Sequence, residues 1–178
     1  MSIMKRKHQH GFTMIEVLIA AVVLGVGLLG LAALQAQSLQ FNYSAYQRSQ
    51  ANILAYDIID RMRANGPEVL LGSYNQALGN GPTSNTDCQA AGANCSSGDM
   101  AAFDITEWEC SLGRWNEVAP CAGRGIVGPL AEGDGSVVIG APVGGHVPVT
   151  VTITWVDNRT VAVGQDDHTE SFTVSTVL

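Results

Sequence analysis

Lysine is nearly absent from this 178-residue chain: Lys5 and Lys7 stand near its start and none follows. Charge of either sign is sparse, at 14% of residues, and unevenly placed. Lys5, Arg6 and Lys7 open the chain, whereas all 16 acidic residues lie at or beyond Glu16. Past residue 11 only six arginines face those 16 carboxylates, a formal charge of −10. Such a body repels nucleic acid phosphates and anionic membrane surfaces, because counterion release needs clustered Lys and Arg. Nucleic acid is therefore not an expected partner. Histidine is scarce too: beyond the first stretch only His146 and His168 remain, with no GxSxG or comparable nucleophile setting. The alternating acidic spacing of a calcium loop is missing, and Asp166, Asp167 and His168 read as a solvated turn. The expectation is no catalytic site, no metal and no cofactor. With 46% hydrophobic residues the chain suits one folded domain plus an appendage rather than disorder.

Cysteine is limited to Cys88, Cys95, Cys110 and Cys121, grouped in one Gly- and Ser-rich stretch without the CxxC pairs that usually hold zinc. Disulfides are expected, and they persist only in an oxidising compartment. Sequence leaves three connectivities open; Cys88 with Cys95 and Cys110 with Cys121, the sequence-adjacent loops, is the preferred one.

Export has an obvious vehicle. Residues 17–34, VLIAAVVLGVGLLGLAAL, carry no charged or polar side chain. At about 1.5 Å per residue they nearly cross a hydrocarbon core of about 30 Å. Lys5, Arg6 and Lys7 precede this run and no positive residue follows until Arg48, so the N-terminus should stay cytoplasmic and the body should leave. An ordinary secretory signal would be cut after the run, near Ala33 and Ala36. Against that stands GFTMIE, residues 11–16, at the opposite end. Its Glu16 sits at the membrane edge, where a carboxylate costs roughly 2.5 kcal/mol or more at full depth, less near the interface, and normally has a partner. Gly25, Gly27 and Gly30 match the GxGxxG nucleotide fingerprint, but no strand precedes them and the loop would lie inside the membrane. Their service is close helix contact.

Gly11, Phe12, Thr13, an apolar pair and Glu16, after a short basic leader and before a long apolar helix, resemble the class III signal of type IV pilins and their secretion-system relatives. The resemblance implies that a membrane prepilin peptidase cuts after Gly11 and that the helix stays in the mature protein. It also implies N-methylation of the new terminal Phe12. Glu16 would pair with the terminal amine of a neighbouring subunit, cancelling two charges in an apolar filament core. On this reading residues 1–11 are a leader, 12–34 the membrane and filament-core helix, 35–65 its amphipathic half, and 66–178 an exported head.

Beyond Leu34, the residues Ala51, Leu54, Ala55, Ile58 and Met62 form one stripe at helical spacing. Arg61 and Arg63 suit the C-terminal end of the helix dipole, and Gly66 with Pro67 is a stop signal. A single helix over residues 12–65 would run about 80 Å. Residues 72–98 read as a loop, and 99–109 as a short helix with Met100, Phe103 and Trp108 inward. Residues 123–145 read as irregular except for 136–139. VPVTVTITWV, residues 147–156, alternates apolar residues with threonines and is the clearest strand. Asp157 and Asn158 allow a turn, and residues 160–163 and 169–178 complete an antiparallel meander over the helix. The expected class is α+β and type IV pilin-like.

The resemblance narrows further. GVGLLGLAALQAQSLQ (25–40), LAYDIIDRMRAN (54–65), AAFDITEW (101–108) and TWVD (154–157) are similar to the minor pilins called type IV pilus modification protein PilV. That family implies a low-abundance subunit that helps to initiate pilus assembly, can sit near the tip, and supports motility or adhesion. Its partners would be other minor and major pilins, the prepilin peptidase and the inner-membrane assembly machinery. It would sit in the inner membrane as a single-pass protein with its C-terminus in the periplasm, then in the cell-surface pilus. Two rival readings stay open: a minor pseudopilin of a type II secretion system, which shares the leader and Glu16, and a pilus-borne adhesin using the loops of residues 72–145. The segment from Cys110 to Cys121 fits the family pattern poorly.

Overall fold

The computed structural model describes residues 11–157 and 168–178 and divides into two compact units, Met1–Asn42 and Tyr43–Leu178. The expected strand at 160–163, the turn at Asn158, and Asp166 and Asp167 lie outside the described residues. The elements are α1 (Met14–Ala64), α2 (Gly66–Leu70), α3 (Ser97–Leu112), α4 (Cys121–Arg124), β1 (Asp134–Ile139), β2 (Pro148–Val156) and β3 (Thr169–Val177).

In the first unit α1 begins where Glu16 N–H and Val17 N–H donate to the Thr13 carbonyl at 3.1 and 3.3 Å. Leu, Ala, Met and Val carry it onward without a break through Gly25, Gly27 and Gly30. Those glycines together cost about 3 kcal/mol against alanine, tolerable in a helix this long. Of the residues from 11 to 42, all but half-buried Gly25 are exposed.

In the second unit the same helix acquires an inner face. Ala51, Ala55, Ile58 and Met62 are fully buried and Leu54 packs beside them, as the stripe predicts. Burial begins earlier than the apolar pattern shows, at Ser44 and Gln47, and also takes in Ile59. At its end Asn65 N–H is shared between the carbonyls of Arg61 and Met62, 3.2 and 3.1 Å away. Gly66 and Pro67 do end α1, but they also start α2, because proline fits a first helical turn whose N–H groups have no partner anyway.

The helix expected at 99–109 is longer at both ends. Its start is fixed by a capping box: Asp99 N–H donates to Ser96 Oγ at 3.1 Å, and Ser96 N–H donates to Asp99 Oδ2 at 3.0 Å. Trp108 enters the core, Phe103 is buried beneath the Arg124 guanidinium, and Met100 is only half-buried. α3 ends at Gly113, whose φ of 132° suits glycine. Gly135 on β1 is required for a different reason, since a Cβ there would overlap the Trp108 ring.

Among the described residues three strands form one antiparallel sheet in the order β1-β2-β3. β2 alternates strictly, burying Val149, Val151, Ile153 and Trp155 against Ala51, Ala55, Ile58 and Met62 of α1 and Ala101, Ile105, Trp108 and Leu112 of α3 in one core. The Trp108 indole N–H donates to the Leu54 carbonyl at 2.9 Å, which ties α3 to α1. Cys88 is bonded to Cys95, and Cys110 to Cys121. The second bridge joins the end of α3 to the start of α4 and is fully buried.

Candidate functional site

The first unit places Gly11, Phe12 and Glu16 at the very start of an apolar rod. Phe12 is 84% exposed and Met14 92%. Ile15, Glu16, Ile19, Ala20, Val23, Leu24, Gly27, Leu28 and Leu31 share one side of the helix, the spacing that brings i, i+4 and i+8 into line. Glu16 is the single carboxylate on that strip. Among the described residues no ion pair includes it. The helix is long and apolar enough to cross a membrane, and its apolar window is exposed. Each Leu, Ile or Val on it would gain about 1.5–3 kcal/mol by leaving water. A rod of this kind must be buried in lipid or against other helices.

The second unit gathers the separate sequence segments into one polar joint. Arg61 of DRMRAN donates to Asp57 at 3.0 Å, to Asp104 of AAFDITEW at 3.2 Å and to Glu107 at 3.4 Å. Burial alone would lower the Arg61 pKa; the carboxylates of Asp57 and Asp104 outweigh it and raise it. Tyr74 donates its hydroxyl to the other Asp104 oxygen at 2.7 Å and accepts from Asn65 at 3.2 Å. Burial first, then the Asp104 bond, push the Tyr74 hydroxyl upward and keep it protonated. Asn65 also donates to the Ser97 carbonyl at 2.9 Å. At the opposite end of the head Ser44 donates to Asp157 of TWVD at 2.7 Å, and Arg48 pairs with Glu170 at 3.1 Å. Arg61, expected only to complement the helix dipole, is thus the hub that sets α3 on α1. Two of the four resembling segments supply its partners, Asp57 from residues 54–65 and Asp104 with Glu107 from residues 101–108.

Two buried polar groups had no sequence signal. Gln47 is fully buried on α1 and neither side-chain polar atom has a partner. Glu109 is fully buried on α3, one residue before Cys110, and its oxygens complete no hydrogen bond. Burial, then repulsion from Asp134, push its carboxyl up to about 8. The Gln76 amide, the Trp115 indole N–H and Arg114 pull the other way without reversing it. His146 and His168 are both exposed. Among the described residues no group of His, Cys, Asp and Glu is arranged to hold a metal.

Residues 6–32 match the family model described as the prokaryotic N-terminal methylation motif, and residues 33–106 match the one described as type IV pilin Tt1218. The second match contains Asp57, Arg61, Tyr74 and Asp104 of the polar joint and ends one residue before Glu107. No curated protein and no solved structure matches the chain. The long N-terminal helix with a C-terminal antiparallel sheet is the α+β arrangement of a type IV pilin. Over residues 6–32 and 33–106, and in this architecture, the chain is thus similar to the type IV pilin class.

Proposed function

We propose that this chain is a minor pilin of the PilV type, made as a prepilin and used to initiate a type IV pilus. The prepilin peptidase cuts after Gly11, and Phe12 becomes the N-methylated terminus. The helix holds the chain in the inner membrane with its head in the periplasm until assembly. Glu16 then meets the terminal amine of a neighbouring subunit, which removes two charges from the apolar filament interior together. The observation that carries this reading is the exposed apolar strip with one carboxylate near its start. The PilV assignment leans on the DRMRAN and AAFDITEW segments, whose Arg61 and Asp104 meet in the joint.

The test is deletion of the gene in its own host, with shearable surface pili counted after complementation by the intact gene or by Gly11→Val. Pili lost on deletion and restored only by the processable form support the proposal. Unchanged pili with an altered secreted proteome would move the chain to a type II secretion system.

A further inference from the structure

The sheet has two edges, and the chain treats them differently. The outer edge of β1 is closed: Gln76 and Val137 exchange both backbone hydrogen bonds at 2.9 Å, and Ile139 N–H donates to Asn75 Oδ1 at 2.9 Å. Gly79 N–H donates to Asp134 Oδ2 at 2.8 Å and completes the cover.

β3 forms the other edge, and the phase of its hydrogen bonding follows from its ends. Val147 and Leu178 exchange two backbone bonds, at 2.8 and 2.9 Å, and Asp157 N–H donates to the His168 carbonyl at 2.9 Å. Pairing with β2 is one-to-one from Thr169 to Val177, so bonded pairs recur at every second residue. Phe172, Val174 and Thr176 therefore bond inward to β2. Thr169, Ser171, Thr173, Ser175 and Val177 direct their N–H and C=O groups away from it. The side chains give the same phase independently. Hydroxyls of Thr150 and Ser175, and of Thr152 and Thr173, lie 3.1 Å apart, the close approach found at pairs that share no backbone bonds. None of the outward groups meets another backbone group among the described residues.

The usual protections of such an edge are missing. β3 has no proline, no lysine and no bulge over its nine residues. On its inner face Phe172 and Val174 are only partly covered by the core, while Ser171, Thr173 and Ser175 face outward. An incoming strand with apolar residues at alternate positions would finish covering that pair and continue the hydroxyl face.

We propose that the outer edge of β3 takes an extended segment of a different filament subunit as a fourth strand. Main-chain bonds would supply the attachment and the half-covered Phe172 and Val174 the register. A second copy of this chain is the poorer occupant, because past residue 11 each copy carries a formal charge of −10 and no lysine. A neutral or basic segment suits the edge. The occupant's identity rests on the filament-subunit reading above.

Two measurements on the full-length chain test it. In the purified chain in detergent, the amides of Ser171, Thr173 and Ser175 should exchange with solvent freely while those of Phe172, Val174 and Thr176 are protected; protection of both sets overturns the open edge. In the host, a photo-reactive phenylalanine analogue at position 175 should crosslink to an extended segment of another filament subunit. Thr173→Pro, and separately Ser171→Pro, remove an outward N–H without touching a backbone bond to β2, a placement edge strands tolerate. Either should lower the crosslink at least tenfold with the head's unfolding midpoint unchanged. A crosslink to residues 158–167 of the same chain, to β3 of a second copy, to nothing, or one that ignores both prolines overturns the proposal. Pilus counts after gene deletion report separately on the subunit reading, so pili lost on deletion with no crosslink would sink the edge alone.

Discussion

Glu109 makes the stability of the head depend on pH in a direction opposite to that of most carboxylates. Its pKa rises from an ordinary 4.5 to about 8 because burial penalises the charged form and Asp134 repels it. Between those values the folded head keeps a proton that the unfolded chain has released. Stability is therefore greatest below pH 4.5 as far as this group is concerned, falls as pH rises, and levels off above about 8. Within the window the slope approaches about 1.4 kcal/mol per pH unit, so raising pH from 5.5 to 7.5 should cost up to about 3 kcal/mol. Glu68 and Asp99, lowered by hydroxyls of Ser73 and Ser97 and of Ser96, lose their contributions only as pH falls below the ordinary carboxylate range, outside this window. Urea unfolding of the full chain in detergent can be followed by Trp108, Trp115 and Trp155, which all lie in the second unit. Glu109→Gln keeps the shape and is neutral at every pH, so it should flatten the slope to under about 1 kcal/mol over the same interval and be the more stable protein at pH 7.5. A variant that retains the wild-type slope, or wild-type stability that rises from pH 5.5 to 7.5, would refute the assignment.

Glu16→Val should be cleaved normally after Gly11 yet fail to enter filaments, which mass analysis of the membrane and sheared-pilus fractions would show; normal incorporation removes the charge-pair argument. Gln47→Met should raise stability by about 1 kcal/mol in the same urea assay, because it replaces two buried unpartnered polar atoms with a side chain of similar length. Asp104→Ala should lower it by about 2 kcal/mol, since it takes one of three carboxylates from Arg61 and leaves the buried Tyr74 hydroxyl without its acceptor. A loss below about 0.5 kcal/mol would mean that the joint does not hold α3 on α1.

Features that depend on one local rule were legible in the sequence. The stripe of Ala51, Ala55, Ile58 and Met62 followed from helical period, and β2 from strict alternation, since each pattern needs only a single buried side. The capping box at Ser96 and Asp99 is equally local, and it starts α3 ahead of the expected 99–109. The expectation for Arg61 rests on its position at a helix end, a rule about its own helix. Two of its three carboxylate partners sit 43 and 46 positions away on α3, and sequence spacing carries no information about such a meeting.

The sequence by itself determined that the chain has a basic start, a glycine-bounded apolar helix with one early carboxylate, and a head rich in threonine strands. Those follow from composition and period, which act on neighbouring residues. Tertiary structure alone decided that Glu109 is buried one position before Cys110, that Gln47 faces inward from an otherwise polar turn, and that Gln76 seals the edge of β1 while no described backbone group meets the outer edge of β3. Each of these depends on which distant segments pack together, and exclusion of water there is a property of the packed whole.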